Sequence, residues 1–320
     1  MNVLITGGIG FIGSSLAQRC IQDGSRVTLF DSMDSRYGSN SANIAGIEDR
    51  VSFVHGDTRD FDHVCSVIHG QNVIVDCAAQ VSHELSMKDP LDDFSNNCGG
   101  ASNIAEAWKR YAPQAKLIYA GTRGQKGIPV RTPVDESHPS NPPDFNGLHK
   151  QMAQDVYFFY AKKFGLDARS VLINNVYGPR CSLRTDYGWV NKWIGMAIQN
   201  QDIVVKSDGS QTRDYSYVDD VVSAFLCVMK RGVSCNEYLI GSGEEVSVRD
   251  ILGKIVKHSK SSSRISFEEM PQHRRDIEIG RFVVDSSKLK SIGWSPEVSL
   301  DDGLQRTIHF YRERWEEYKP

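Results

Sequence analysis

The sequence predicts an α/β fold: a doubly wound parallel sheet with a smaller C-terminal α/β lobe. Three observations carry that expectation. Short, nearly continuous apolar runs alternate with helix-period segments through the first half, as in parallel sheets covered on both faces. A glycine-rich turn, Thr6 to Gly13 (TGGIGFIG), stands between the first apolar run and the first helical segment. After about Asn174 the elements shorten, and polar stretches such as Gly178-Pro179-Arg180, Ser207 to Ser210 and Ser259 to Ser263 separate them. The expected domains are therefore 1–174 and 175–320, with some chain of the second crossing back to the first.

The first strand is read from Val3-Leu4-Ile5 and the first helix from Ser14 to Asp23. Strand, glycine turn and helix stand in the order a dinucleotide's pyrophosphate requires. Gly7 permits the tight turn, Gly10 lets the backbone approach the phosphates, and Gly13 lets helix and strand pack closely. The helix start, with Phe11 and Ile12, offers free N–H groups and a positive dipole end to an anion. The second strand, Arg26 to Phe30, ends in Asp31, which is placed to take both hydroxyls of an adenosine ribose and to repel a 2′-phosphate. The first domain thus reads as a Rossmann domain for NAD rather than NADP. A glycine turn without a ligand is the plain alternative.

Val51 to His55 reads as the third strand, leading into Gly56-Asp57-Thr58-Arg59-Asp60. Asn72 to Asp76 reads as the fourth, leading into Cys77-Ala78-Ala79-Gln80. Pro90 to Tyr111, with Asn97, is mostly helical, and Lys116 to Tyr119 is the fifth strand. Asn146 to Phe164 is helical with apolar positions Met152, Val156, Phe159 and Tyr160, and Asp167 to Ile173 is the sixth strand. Ligands of such sheets bind beyond the carboxyl ends of the strands, where the glycine turn, Asp31, Asp57, Ala78-Ala79 and the loop after Tyr119 converge. In the second lobe Val218 to Arg231 and Ser247 to His258 are helical. Asp219 and Asp220 are expected to begin and cap the former, and Ser247 with Asp250 starts the latter as a capping box. The last helix is read from Ser299 to Trp315.

Composition narrows the function classes. The chain has 320 residues, 40% hydrophobic and 24% charged, with net charge -3, so no basic field for nucleic acid is expected. No apolar run is long enough for a bilayer, and the first residues already form a strand, so neither membrane insertion nor a signal peptide is expected. Seven scattered cysteines without a CxxC pair point to free thiols in the reducing cytoplasm rather than disulfides or a metal site.

Taken together, TGGIGFIG, GDTRD at Gly56 to Asp60, CAAQVSHELSMKDP at Cys77 to Pro90, FSNNCGGASNIAEA, NVYGPR at Asn175 to Arg180, DGSQTRDYSYVDD at Asp208 to Asp220 and the terminal KLKSIGWSPEVSLDDGL resemble the extended short-chain dehydrogenase/reductases, the NAD-dependent nucleotide-sugar epimerases and dehydratases. The segments QVSHELSMKDP and DYGWVN are most similar to CDP-tyvelose 2-epimerases and UDP-glucose 4-epimerase-like relatives. The resemblance covers nearly the whole chain. It implies Asp57 near the adenine, NAD as cofactor, and a homodimer through a four-helix bundle built from the Pro90 to Tyr111 and Asn146 to Phe164 helices. Burial of those apolar faces in the subunit's own core is the competing reading.

The resemblance also implies a catalytic Tyr-x-x-x-Lys with an upstream Ser or Thr. That spacing puts both side chains on one helix face, and the Lys lowers the Tyr pKa. Here Lys150 matches the lysine, Thr122 holds the upstream place, and Asn146 stands at the tyrosine position. An amide can hydrogen-bond a hydroxyl but cannot accept its proton near neutral pH. Ala120 and Gly121 replace two family serines, and Lys126-Gly127 replaces a Tyr-Gly. Three readings stay open: an enzyme with another base (His149, Lys150, Tyr119 or a substrate phosphate), a chemistry needing less help with deprotonation in which Thr122 and Asn146 orient the oxygen, or an NAD- or nucleotide-sugar-binding protein without redox function. Among activities, an epimerase acting through a transient keto-sugar leads. A dehydratase or a 4-dehydrogenase is the alternative, the former weakened because Arg123-Gly124 rather than Asp-Glu follows Thr122.

For a nucleotide-diphosphate sugar the resemblance offers Arg213, whose guanidinium fork suits two phosphate oxygens, and Arg274 or Arg275 as a second diphosphate ligand. Asn175 matches an amide that meets the diphosphate or sugar, and Trp189 and Val190 begin a helix near the base pocket. Ser86, Thr122 and Arg123 complete the expected substrate set, and His83 and Glu84 stand beside it, Glu84 reading first as a solvated loop carboxylate and second as an acid or base.

Overall fold

A computed structural model of the chain describes residues 1–184 and 188–320. Asp186 and Tyr187 of the DYGWVN segment therefore lie outside the described residues. The chain begins β1 (Asn2–Thr6), α1 (Phe11–Gln22), β2 (Arg26–Asp31), β3 (Val51–His55), α2 (Phe61–Ile68), β4 (Val73–Asp76). Two short helices follow, α3 (His83–Lys88) and α4 (Pro90–Phe94), and α4 runs through one π-helical turn, Ser95–Gly99, into α5 (Gly100–Tyr111). Then come β5 (Lys116–Thr122), α6 (Phe145–Phe164), β6 (Asp167–Ile173) and β7 (Asn175–Tyr177). The second half holds α7 (Trp189–Ile198), β8 (Ile203–Val205), β9 (Thr212–Arg213), β10 (Tyr215–Tyr217), α8 (Val218–Arg231), β11 (Asn236–Leu239), β12 (Val246–Ser247) and α9 (Val248–His258). It ends with β13 (Ile265–Phe267), α10 (Gln272–Arg275), α11 (Ser287–Ser291), α12 (Leu300–Glu313) and α13 (Trp315–Tyr318).

The seven-stranded sheet runs β11-β6-β5-β4-β1-β2-β3, and every pairing in it is parallel. The order reverses between β1 and β4, which opens a crevice at their carboxyl ends. Strand alternation splits the core into two layers. Val3 and Ile5 face one layer with Leu16 and Ala17 of α1 and Val221 and Phe225 of α8. Leu4 faces the other with Ile104 and Trp108 of α5 and Ala153, Tyr157 and Ala161 of α6. Residues 218–239 return from the second half to this body, because α8 covers the sheet and β11 pairs with β6. Around them β8 pairs with β13, β7 with β10 and β9 with β12, beside α7, α9 and α12.

Local chemistry sets the helix ends. Asp60 caps α2, Asp144 caps α6 through Gly147 N at 2.8 Å, and Gly165 closes α6 at φ 69. Ser247 Oγ accepts from Asp250 N at 3.0 Å and donates to the Asp250 carboxylate. Asp220 differs from expectation. It lies in the first turn of α8 but accepts from Glu297 N and Val298 N, pinning the loop before α12 instead of capping its own helix. The apolar positions read on α6 divide between two sides, Val156 and Tyr160 being partly buried against the sheet layer. Met152 and Phe159 are exposed, and the face against the sheet is Ala153, Tyr157 and Ala161, where small side chains let the helix approach closely. Among the described residues no helix is long and apolar enough to cross a membrane.

Candidate active site

One cleft follows the carboxyl ends of β1 to β6. It is lined by Gly7, Gly10, Phe11, Ile12 and Gly13, by Asp31 after β2, Asp57 and Thr58 after β3, Ala78 and Ala79 after β4, and Thr122, Asn146 and Lys150 at its far end. Gly7 sits at φ 61, and a Cβ there would meet Cys77 O at 2.8 Å. A Cβ on Gly13 would stand 2.2 Å from Gly7 O, so α1 can seat on the turn only with glycine at that position. Gly10 begins α1 without a side-chain cap, which leaves the first amides of the helix for a ligand. Asp31 accepts from Ile9 N (3.1 Å), Met33 N (2.8 Å) and Ser39 Oγ (2.6 Å), and these bonds hold its carboxylate in the wall. Asp57 is clamped by Arg59 at 2.6 Å. A glycine cradle, uncapped helix amides and a fixed acid at the second strand end fit a dinucleotide.

At the far end Lys150 is buried, with Nζ 5.1 Å from the centre of the Tyr119 ring. Burial pushes its ammonium below the usual lysine range, against the pull of Asp76, Cys77 and Asp93. Asp76 is itself buried and accepts from Thr6 Oγ1 (2.6 Å) and Tyr157 Oη (2.7 Å). Asn146 is 2% exposed, and its Nδ2 donates to Gln80 O (2.8 Å) and Asp93 Oδ2 (3.3 Å). Asp93 also accepts from Gln80 Nε2 (2.8 Å) and bonds His149 Nδ1 (2.7 Å), so a buried polar network underlies the cleft.

A second cleft meets the first at His83, which lines both. Its walls carry Arg123, Arg213, Arg274, Trp189, Trp193 and Glu278. Arg213 is buried and bonded to Glu278 and to the Gly280 carbonyl, and Arg274 pairs with Glu84, so Glu84 is an ion-pair partner rather than a solvated loop acid. Arg123 has a buried Nη1 without a partner. Burial, then the Arg213 charge, pushes its guanidinium down to about 9. The half-buried Arg123 beside Arg213, which has Glu278 as its partner, leaves positive charge that suits an anion. Trp189 and Trp193 lie one turn apart on α7 with ring centres 4.4 Å apart, offering an aromatic wall.

Several expected ligands do not front either cleft. Gln80 and Asn97 are buried and spent on the network, Asn97 Nδ2 donating to Gln80 O at 3.0 Å. Ser86 is fully buried and donates to His83 O at 2.7 Å. Asn175 Nδ2 donates to Asp214 O at 3.3 Å, the carbonyl that also accepts from Asn174 Nδ2 at 3.1 Å, and it is Asn174 that lines the first cleft. Val190 is in the core, one helical step from the half-buried Trp189 that lines the second cleft. Arg275 pairs with Glu269 at 2.9 Å in a separate surface groove, turned away from Arg274 by the helix. Among the described residues no group of three His, Cys, Asp or Glu side chains is gathered as a metal site would be.

Comparison with known proteins places this geometry. The NAD dependent epimerase/dehydratase family matches residues 3–241. The chain belongs to that family. It is similar to the UDP-glucose 4-epimerase of Mycolicibacterium smegmatis, 31% identical over 320 residues, covering 98% of this chain and 99% of that one. It is 27% identical over 334 residues to the CDP-paratose 2-epimerase of Salmonella typhi, covering 96% of this chain and 98% of the relative. Its fold matches the structure of the Thermotoga maritima UDP-glucose 4-epimerase with UDP-glucose at a TM-score of 0.91 and 27% identity, over 98% of this chain and 100% of that one.

Within the family's site, sequence reasoning missed Asp93, Asp144 and Glu278. Asp144 stands two residues before Asn146, and its helix-capping place was a local signal that could have found it. The other two act through contacts far along the chain: Glu278 meets Arg213 across 65 residues and Asp93 meets His149 across 56, which no local pattern marks.

Proposed function

We propose that this chain is an NAD-dependent nucleotide-diphosphate-sugar epimerase that acts through a transient keto-sugar. The observation that carries the reading is the meeting of two clefts at His83, one with a dinucleotide cradle, the other with three arginines and an aromatic wall. A nucleotide sugar fits that arrangement with its diphosphate at Arg123, Arg213 and Arg274, its base toward Trp189 and Trp193, and its sugar beside Thr122. Arg213 and Arg274 would exchange carboxylate partners for phosphate on binding.

In the first cleft Gly7 to Gly13 would hold the NAD pyrophosphate, Asp31 the adenosine ribose, Asp57 and Thr58 the adenine side, and Lys150 the nicotinamide ribose. When bound, NAD supplies the acceptor and later the donor of the hydride exchanged with the sugar carbon. Thr122 orients the reacting hydroxyl from the end of β5, and the buried Lys150 ammonium adds positive charge where an alkoxide develops. Residues 1–174 would chiefly hold the cofactor and 175–320 the nucleotide sugar.

A homodimer belongs to the same proposal. Leu91 and Phe94 of α4 and Leu148, Met152 and Phe159 of α6 are exposed apolar residues on helices that pack together, an unsatisfied surface for a second copy. The seven free cysteines suit the cytoplasm.

The reading is tested by denaturing the purified protein and identifying the released nucleotide. A near-stoichiometric mixture of NAD and NADH, with no NADP, supports a retained, recycled cofactor. A protein that is empty and binds no NAD overturns it.

A further inference from the structure

Asn146 cannot accept a proton, and its amide is committed to Gln80 O and Asp93. His149 is equally committed. Its Nδ1 lies 2.7 Å from Asp93 Oδ1, its side chain is 8% exposed, and it fronts neither cleft. The Tyr119 hydroxyl is buried without a partner, and burial with the Asp76 charge holds its proton on tightly. Lys150 lines the cofactor cleft, as Thr122 does, and its ammonium serves there as a positive charge, a form with no lone pair for a proton.

His83 is placed differently. It stands at the junction of both clefts, 38% exposed in its side chain, with Nδ1 2.7 Å from Oδ2 of the nearly inaccessible Asp144. A carboxylate only accepts, so Nδ1 carries a proton, and in the neutral ring the lone pair is then on Nε2. Nε2 makes no hydrogen bond among the described residues. Thr122 reaches the same spot: a Cβ on Gly124 would lie 3.4 Å from His83 Cε1 and 3.6 Å from Thr122 Oγ1. The charged groups bordering it are Asp144 and Lys150 on α6, Arg123 after β5, and Glu84 on α3 with its partner Arg274.

We propose that His83, oriented by Asp144, is the general base that replaces the missing tyrosine. The proposal rests on the nucleotide-sugar reading above. The sugar O–H bond breaks and its proton moves to Nε2, the C–O bond gains its second pair, and the carbon's hydrogen leaves with its electron pair to the oxidised nicotinamide. The imidazolium is held by the Asp144 carboxylate and returns the proton when the carbonyl is reduced.

The test uses the full NAD-loaded chain and a panel of UDP-, dTDP-, CDP- and GDP-hexoses. On whichever sugar the parent converts, His83→Asn is expected to lower kcat about 10²- to 10⁴-fold. Affinity for the matching nucleoside diphosphate alone, by calorimetry, should change less than about threefold, as expected of a group used only in the chemical step. Asp144→Asn keeps a competent helix cap and should lower kcat in the same direction. Independently of turnover, nitrogen NMR of histidine-labelled protein should show the neutral His83 ring protonated at Nδ1 in the parent and as mixed tautomers in Asp144→Asn. Parental kcat in His83→Asn, or a parent ring protonated at Nε2, overturns the base assignment alone. A parent inert on the whole panel overturns the nucleotide-sugar reading, and the assignment falls with it.

Discussion

Residue 146, where the family resemblance implies a tyrosine, is a buried amide in this chain. The Asn146 amide ties the Gln80 carbonyl to the buried Asp93 carboxylate, which also holds His149. Asn146→Ala should therefore destabilise the fold by about 1–3 kcal/mol, since it leaves buried acceptors short of a donor, and calorimetric unfolding reads that loss directly. Lys150→Ala and Thr122→Ala should reduce turnover by about 10²-fold or more, read as the initial rate of the protein that remains folded, because Thr122 also caps the turn at Arg123–Gln125 and Lys150 offsets the buried Asp76 charge. That an asparagine stands at residue 146 was legible in the sequence. What Asn146 bonds to was not, because Gln80 and Asp93 reach it across 66 and 53 residues. Asn175 shows a related limit. A motif marks a neighbourhood, but packing around Asp214, to which both amides donate, decides which of the two lines the cleft, and here it is Asn174.

At the scale of single elements, the turn into α1 was fully legible, because its function is steric. Gly13→Ala places a methyl 2.2 Å from Gly7 O, and the helix must shift. The expected outcome is a loss of about 1–3 kcal/mol together with weakened NAD binding, measured by calorimetric titration. The α6 start makes a different prediction. Burial raises the Asp144 carboxyl, but the His83 hydrogen bond and charge, the Gly147 amide and the Arg123 charge outweigh it and hold the group below the usual carboxylate range. A depressed carboxyl contributes stability above its unfolded value, about 3.9, and loses it as pH falls through the folded value. Asp144→Asn should consequently lose less melting temperature than the parent between about pH 7 and about pH 3. The apolar positions read on α6 mixed two faces, because the helix is apolar on two sides. Hydropathy marks Met152 and Phe159 as strongly as any core residue, while Ala153 and Ala161, which touch the sheet layer, are small.

For the whole molecule, alternation of strands and helices made the sheet legible, and the family's motifs mapped its carboxyl edge. The joining of β11 to β6 was not legible in detail, since a four-residue strand has too short a pattern to declare its partner. The exposed residues of α6 should be the dimer face. Leu148→Asp with Phe159→Asp should shift the protein from dimer to monomer in light scattering, with the fold retained because both side chains lie outside the core. The central claim is epimerisation of a nucleotide sugar without net consumption of cofactor. Its most direct test is proton NMR of the NAD-loaded protein with UDP-, dTDP-, CDP- and GDP-hexoses in deuterated buffer. The account predicts that one of them becomes its epimer with the hydrogen at the inverted carbon retained. Formation of a 4-keto-6-deoxy sugar, or no product from any of them, would contradict it.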